Sequence, residues 1–287
     1  MAQRALRNIG IAVALFAPLL CAAQTGSLPP ASHIETTAEL YARLTTAQQQ
    51  RFHEAGRDVG TKQYADALAA LKSLLIELPG DPTLSKFAAE AALHVGDDRF
   101  ARDSLQPVAR ANPDDWQAAS MLTRAYAELG DKGNRDAGIS HMLDLHKRGL
   151  TPPNKQDYII EVVQVPGGNV TIYASLEPFG PYKIHNVGEM YGQNGQKLLM
   201  TTIESSDGEQ PLFAREHPKE AAAGLRMFSM DGYKDTGVNS SGQKTQTHYT
   251  FKFFVGQPDY DTVRQAFLDV AAGKIRPVSS RDNLPVP

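Results

Sequence analysis

Three groups of residues carry side chains that could do chemistry. His141 and His146 flank Asp144 on a stretch with helical periodicity. A zinc-binding helix sets two histidines four residues apart on one face, with a glutamate between them. Here the spacing is five, which turns the two imidazoles about 140° apart around the helix axis. The pair therefore reads as surface or inter-helix residues. Asp235-Thr236-Gly237 spells the tripeptide that aspartic proteases carry. That chemistry needs a second carboxylate close enough to share a proton, and the chain holds no second copy, so the tripeptide reads as a loop turn. His185, Glu216-His217 and Ser205-Ser206-Asp207 could combine into a hydrolytic set. No G-x-S-x-G elbow supports this. His217 reads instead as the residue before a helix beginning at Pro218, and Ser206-Asp207-Gly208 as a turn.

Other chemistries lack their residues altogether. Phosphate-cradling patterns of the G-x-x-x-x-G-K or G-x-G-x-x-G type are missing, so no nucleotide is implied. A single cysteine, Cys21, excludes both an intramolecular disulfide and a CxxC zinc site. The formal net charge of −3 offers no general attraction to nucleic acid or an anionic membrane. With 41% hydrophobic and 21% charged residues, the chain has enough apolar material for a core. The expectation is a protein that is not an enzyme and needs no cofactor or metal.

The elements that would position any site begin with a repeat. Ala67 and Ala101, Leu71 and Leu105, Leu74 and Val108, and Pro79 and Pro113 are all 34 residues apart, as are Ala55 and Ala89 upstream. A third copy starts at Trp116 and keeps Leu122, Thr123, Tyr126 and Gly130-Asp131. It then slips by about two residues, so that Ala137 replaces Arg135 at the small-residue position. Small residues allow close helix approach, and apolar residues at i, i+4 and i+7 form a buried stripe. Pro79 and Pro113 close the second helix of each pair, while Gly96-Asp97 and Gly130-Asp131 supply turns. Self-similarity at this period signals stacked helix pairs.

On these residues, segment 36–150 resembles the tetratricopeptide repeat (TPR) family. The resemblance covers about 40% of the chain. Repeat one carries Lys62 where the family has glycine, and repeat three has lost its proline. The resemblance implies a binding groove rather than catalysis, with the first helix of each pair lining a concave face. The matching positions are Lys86 and Glu90 in repeat two, and Gln117, Ser120 and Arg124 in repeat three. The implied ligand is a protein or peptide, with Lys86 and Arg124 available to pair with its acidic groups.

Thr151-Pro152-Pro153-Asn154 breaks the helical pattern, and period-2 alternation follows over residues 151–275. Strands are expected at 158–165, 170–176, 182–191, 197–205, 225–230 and 248–255. Val170, Ile172, Ala174 and Leu176 should share one face. Gln193-Asn194-Gly195-Gln196 is a hairpin turn signal. Residues 231–247, rich in Gly, Ser and Thr, read as a loop. A helix after Pro258 should cover the sheet and stop at Gly273, and the Pro- and Ser-rich tail, 276–287, should be flexible. The fold class expected is α+β: a TPR-like helical solenoid, then an antiparallel sheet with a C-terminal covering helix.

Residues 1–23 have the form of a secretory signal peptide. Arg4 and Arg7 precede an apolar run, Ile9 to Leu20, with small residues before a cut after Ala23. The run is too short for a membrane span, which needs about 20 residues. Cys21 as a lipidated cysteine is the competing reading, but Leu19 and Leu20 are large for that signal. Loss of Arg4 and Arg7 takes the formal net charge from −3 to −5. Residues 24–35 form a linker. The destination read from this segment is periplasmic or secreted, and the role a non-catalytic scaffold in the cell envelope. The rival reading makes the strand-rich half an envelope hydrolase or carbohydrate-binding module, with His185, His217 and Asp207 as its residues.

Overall fold

The computed structural model describes residues 34–153, 157–166, 168–179, 184–192, 197–205, 214–256 and 259–285. The expected signal peptide with Cys21, most of the expected 24–35 linker, the expected 193–196 turn, Asp207 and the side chain of His185 lie outside the described residues. The chain has the expected fold class: a TPR-like helical repeat, then antiparallel strands and a short C-terminal helix.

The repeat consists of three helix hairpins behind a short leading helix, α1 (Thr37–Arg43). The first pairs α2 (Thr46–Gly60) with α3 (Tyr64–Glu77), the second α4 (Pro82–Val95) with α5 (Asp98–Ala111), and the third α6 (Trp116–Glu128) with α7 (Lys132–Lys147). The second helices start at 64, 98 and 132, each 34 residues after the last. Thr36 with Glu39 and Thr45 with Gln48 form capping boxes at the starts of α1 and α2. Asp97 and Asp131 cap α5 and α7 by accepting from the backbone N–H groups of Phe100 and Asn134.

The period also explains an odd residue. Gly96 and Gly130 stand in the left-handed region at φ 79° and 73°, and Lys62, at the equivalent position of repeat one, stands there too at φ 62°. The hairpin turn imposes this backbone whatever the side chain. A left-handed L-residue costs about 1–2 kcal/mol, partly offset by the chain entropy a glycine would lose. Lys62→Gly is therefore expected to raise stability by about 0.5–1 kcal/mol, read as a higher urea midpoint. A lowered midpoint would contradict this account of the turn.

The expected slip in repeat three does not occur. Helix α7 keeps strict register, and Arg135, not Ala137, takes the buried position: Arg135 is 5% exposed while Ala137 is at the surface. Arg135 is tolerated because its guanidinium leaves the hairpin and docks on the C-terminal helix. Close approach is recovered elsewhere in the pair. Thr123 replaces the alanine of the earlier repeats, and Gly138 faces it; a Cβ at Gly138 would overlap the Thr123 hydroxyl.

The strands form one antiparallel meander in the order β1 to β7: β1 (Asp157–Val165), β2 (Gly168–Phe179), β3 (Ile184–Gly192), β4 (Lys197–Ser205), β5 (Arg226–Val238), β6 (Lys244–Val255) and β7 (Ser279–Pro285). A short helix α8 (Pro218–Ala222) precedes β5, and α9 (Tyr260–Ala271) lies between β6 and β7. Val170, Ile172, Ala174 and Leu176 of β2 are all buried, as the alternation requires. Asp259 caps α9, and Gly273 follows it at φ 69°.

Two expectations need correction. The segment 231–247 is not a loop: β5 and β6 pair continuously from Arg226↔Val255 to Val238↔Lys244. Its turn is confined to Asn239–Gln243, where the Asn239 side-chain oxygen accepts from the N–H groups of Ser241 and Gln243. Polar residues hide the strand period, yet Thr245 and Thr247 are only 4% and 3% exposed. Asp235-Thr236-Gly237 accordingly lies in a strand, at a bulge between Asp235 and Gly237. The tail is also paired, since β7 extends the sheet along β6 from Thr245 to Thr250. The open edge of β6 offers backbone groups that a low-hydrophobicity segment can satisfy.

Helices and sheet belong to one compact unit, His33–Pro287. A stack of repeats leaves an apolar face at its last pair, which must be covered. Here the sheet covers it. Ala119, Met142 and Leu145 of the third hairpin pack with Tyr158 and Leu176. Ala127 joins Ile160, Ile172, Phe251 and Phe267.

Candidate functional site

The first helices of the three hairpins, α2, α4 and α6, line a groove. Three depressions in it share one residue, Glu90. The largest, a cavity of about 440 Å³, lies between α4, α6 and the segment entering α1; Phe87, Trp116 and Met121 form its apolar wall. A second, about 170 Å³, lies where α4 and α6 meet β1, bounded by Arg124, Tyr158 and Ile159. A third, about 160 Å³, is almost wholly apolar and runs over Phe52, Val59 and Phe87.

Local structure explains why these side chains meet. Glu90, Phe87 and Lys86 are neighbours on α4 at helical spacing, as are Gln117, Ser120, Met121 and Arg124 on α6. All five expected groove residues, Lys86, Glu90, Gln117, Ser120 and Arg124, line the groove. The first four bound the largest cavity, and Arg124 joins Glu90 and Ser120 in the second.

The availability of their charges differs from expectation. Lys86 is not available to an acidic ligand: it is buried, and its ammonium donates to Asp115 at 2.8 Å and to Gln117 Oε1 at 3.4 Å. Asp115 caps α6 by accepting from the N–H groups of Gln117 and Ala118, so helix geometry itself delivers the counter-ion. Arg124 is largely internal as well. It donates to the Leu93 carbonyl at 3.1 Å and faces Glu128 at 3.7 Å. Burial pushes the Glu128 carboxyl above its ordinary range, opposed by the Val162 N–H and by Arg124. At the other end of the groove, Glu35 accepts from both Arg43 and Thr83, and Arg43 also binds Asp81. Glu90 has no hydrogen bond or ion pair among the described residues and is exposed.

Sequence reasoning missed the apolar half of this wall. Trp116, where the third copy of the repeat starts, lines the largest cavity and packs edge-on against Tyr158 at 5.9 Å. Its place beside Gln117 at the start of α6 was the available signal. The contributions of Ile34–Thr37 and of Tyr158–Ile159 had no local signal, because each comes from another element of the fold.

The other chemical candidates have structural partners. His141 contacts the Pro113 carbonyl and His146 the Thr151 hydroxyl, each at 2.8 Å and on different neighbours. His217 immediately precedes α8, and its ring lies 5.0 Å from that of Phe254. Its geometry with His185 and Asp207 lies outside the described residues. Among the described residues no group of three His, Cys, Asp or Glu side chains could hold a metal ion, and no helix is long and apolar enough to cross a membrane.

No family model matches the chain, and no curated protein matches it. Among solved structures it is similar to the Sgt2 TPR domain from Aspergillus fumigatus, with 19% identity and a TM-score of 0.33 over 37% of this chain and 76% of that one.

Proposed function

We propose that this is an exported, periplasmic or secreted, non-catalytic protein that holds a protein or peptide segment in the groove of its first helices, acting as a scaffold in the cell envelope. The observation that carries this reading is the continuity of the groove. Three depressions meet at one residue, and the largest has the size of small-ligand clefts, about 300–1,000 Å³. Its lining sets Phe87, Trp116 and Met121 among a larger number of polar and charged side chains, a mixture that suits recognition of a segment of chain. The basic, apolar and small-residue zones of residues 1–23 support export with cleavage after Ala23.

Photo-crosslinking tests both parts. The full chain is produced in a bacterial host with a photoreactive phenylalanine analogue at Ser120, in the groove, or at Ile76, an 82% exposed residue outside all three depressions. The expected result is protein in the envelope fraction whose N-terminus is Gln24, with a discrete adduct at 120 and none at 76. Equal labelling at both sites would overturn the groove. Retention of residues 1–23 on protein left in the cytoplasm would overturn export.

A further inference from the structure

The groove's charge distribution goes further than its shape. Every basic side chain that lines it is engaged within the protein. Lys86 is neutralised by Asp115, and Arg124 is held by the Leu93 carbonyl and by Glu128. His94, in the second depression, stacks on Tyr64 at 4.0 Å, and burial with the nearby Arg124 charge lowers its affinity for a proton. The exposed carboxylate at Glu90, by contrast, makes no ion pair or hydrogen bond among the described residues, and the nearest cations, Lys86 and Arg124, are already taken. It stands where all three depressions meet, with Phe87 and Met121 on one side and Phe52 and Val59 on the other. Low-dielectric walls around a lone charge focus its field into the cleft.

We propose that the groove recognises a peptide segment carrying a lysine or arginine between apolar side chains, with the cation on Glu90 and the apolar groups in the flanking depressions. This rests on the groove reading above and names its ligand class. It reverses the sign expected from the sequence, in which Lys86 and Arg124 were to receive an acidic partner. The arrangement rejects acidic segments too, since a carboxylate placed at the junction would meet Glu90 with no free cation to offset it.

Selection from a random peptide library displayed on phage, on the immobilised intact protein, tests this. Binding of the enriched peptides is then measured by fluorescence anisotropy against wild type, Glu90→Gln, Glu90→Lys and the groove-blocking Ser120→Arg. Glu90 is exposed, so its variants should keep the wild-type circular dichroism. The expected result is enrichment of peptides with a basic residue flanked by apolar ones. They should bind about fivefold more weakly to Glu90→Gln, and the charge preference should invert in Glu90→Lys. Enrichment of acidic or uncharged peptides that ignore both Glu90 variants but are lost in Ser120→Arg overturns the cationic ligand and leaves the groove standing. Peptides that bind Ser120→Arg undiminished, or no enrichment at all, overturn both.

Discussion

Asp115→Ala is expected to lower the unfolding free energy by about 3–5 kcal/mol. The Lys86–Asp115 pair has its side chains only 9% and 4% exposed, at 2.8 Å. Removing the carboxylate leaves an ammonium in a site with one weak remaining acceptor, Gln117 Oε1. It also removes the cap on two N–H groups at the start of α6, worth about 1 kcal/mol by itself. Lys86→Met should cost less, because the side-chain stem is replaced and Asp115 keeps its two backbone donors. The double variant Lys86→Met with Asp115→Asn should return close to wild type, since asparagine still caps and no charge is left unpaired. Urea titration followed by circular dichroism reads all four proteins, with the slope unchanged if only stability has moved. A loss below about 1 kcal/mol for Asp115→Ala would place the pair among weak surface ion pairs. Lys86 lines the largest cavity, so the pair also takes up a cation on that wall.

Arg264→Ala should release α9 from the rest of the molecule, at a cost of about 3 kcal/mol after allowing for the partial exposure of this arginine. Glu161, 7% exposed on β1, accepts two hydrogen bonds from the Arg264 guanidinium at 2.7 and 2.6 Å and a third from the Tyr260 hydroxyl at 3.1 Å. Burial, and next the charge of Glu161, push the Tyr260 hydroxyl well above its ordinary range, so it stays a donor. Across the Tyr260 ring lies the Arg135 guanidinium, 4.1 Å from the centroid, which also binds Asp261 at 2.9 Å. One helix thus ties the repeat to the sheet. Hydrogen exchange should show amides of 260–271 losing protection while those of α2 to α5 keep theirs. Arg264→Lys should be intermediate, because it preserves the charge and loses the fork. A uniform loss of protection over the whole chain would mean that α9 is not a separable lock.

Much of the architecture is legible in the residues because its signals are local. The 34-residue period places the second helices at 64, 98 and 132. The alternation of Val170, Ile172, Ala174 and Leu176 identifies the inner face of β2. The helix each residue occupies puts Lys86, Glu90, Gln117, Ser120 and Arg124 along the depressions. Less legible was β structure held by pairing rather than by its own hydrophobicity. Residues 231–238, 244–247 and 279–285 carry few large apolar side chains, and each is strand because its neighbour presents an unpaired ladder.

Arg135 shows the same division in a single residue. The period alone assigns it to a crowded helix contact, where an arginine looks like a fault in the repeat. The fold supplies Asp261 and Tyr260, more than 120 residues later in the chain, and the fault becomes a tether. Glu90 and Lys86 divide likewise. Helical spacing puts both on the groove, but only the arrival of Asp115 at the start of the next hairpin decides that one is neutralised and the other is not. By itself, then, the sequence determined periods, caps and faces, which depend on residues within a few turns of one another. The tertiary structure decided charge balance, strand pairing and the covering of the last repeat, because each depends on which distant group fills the space opposite.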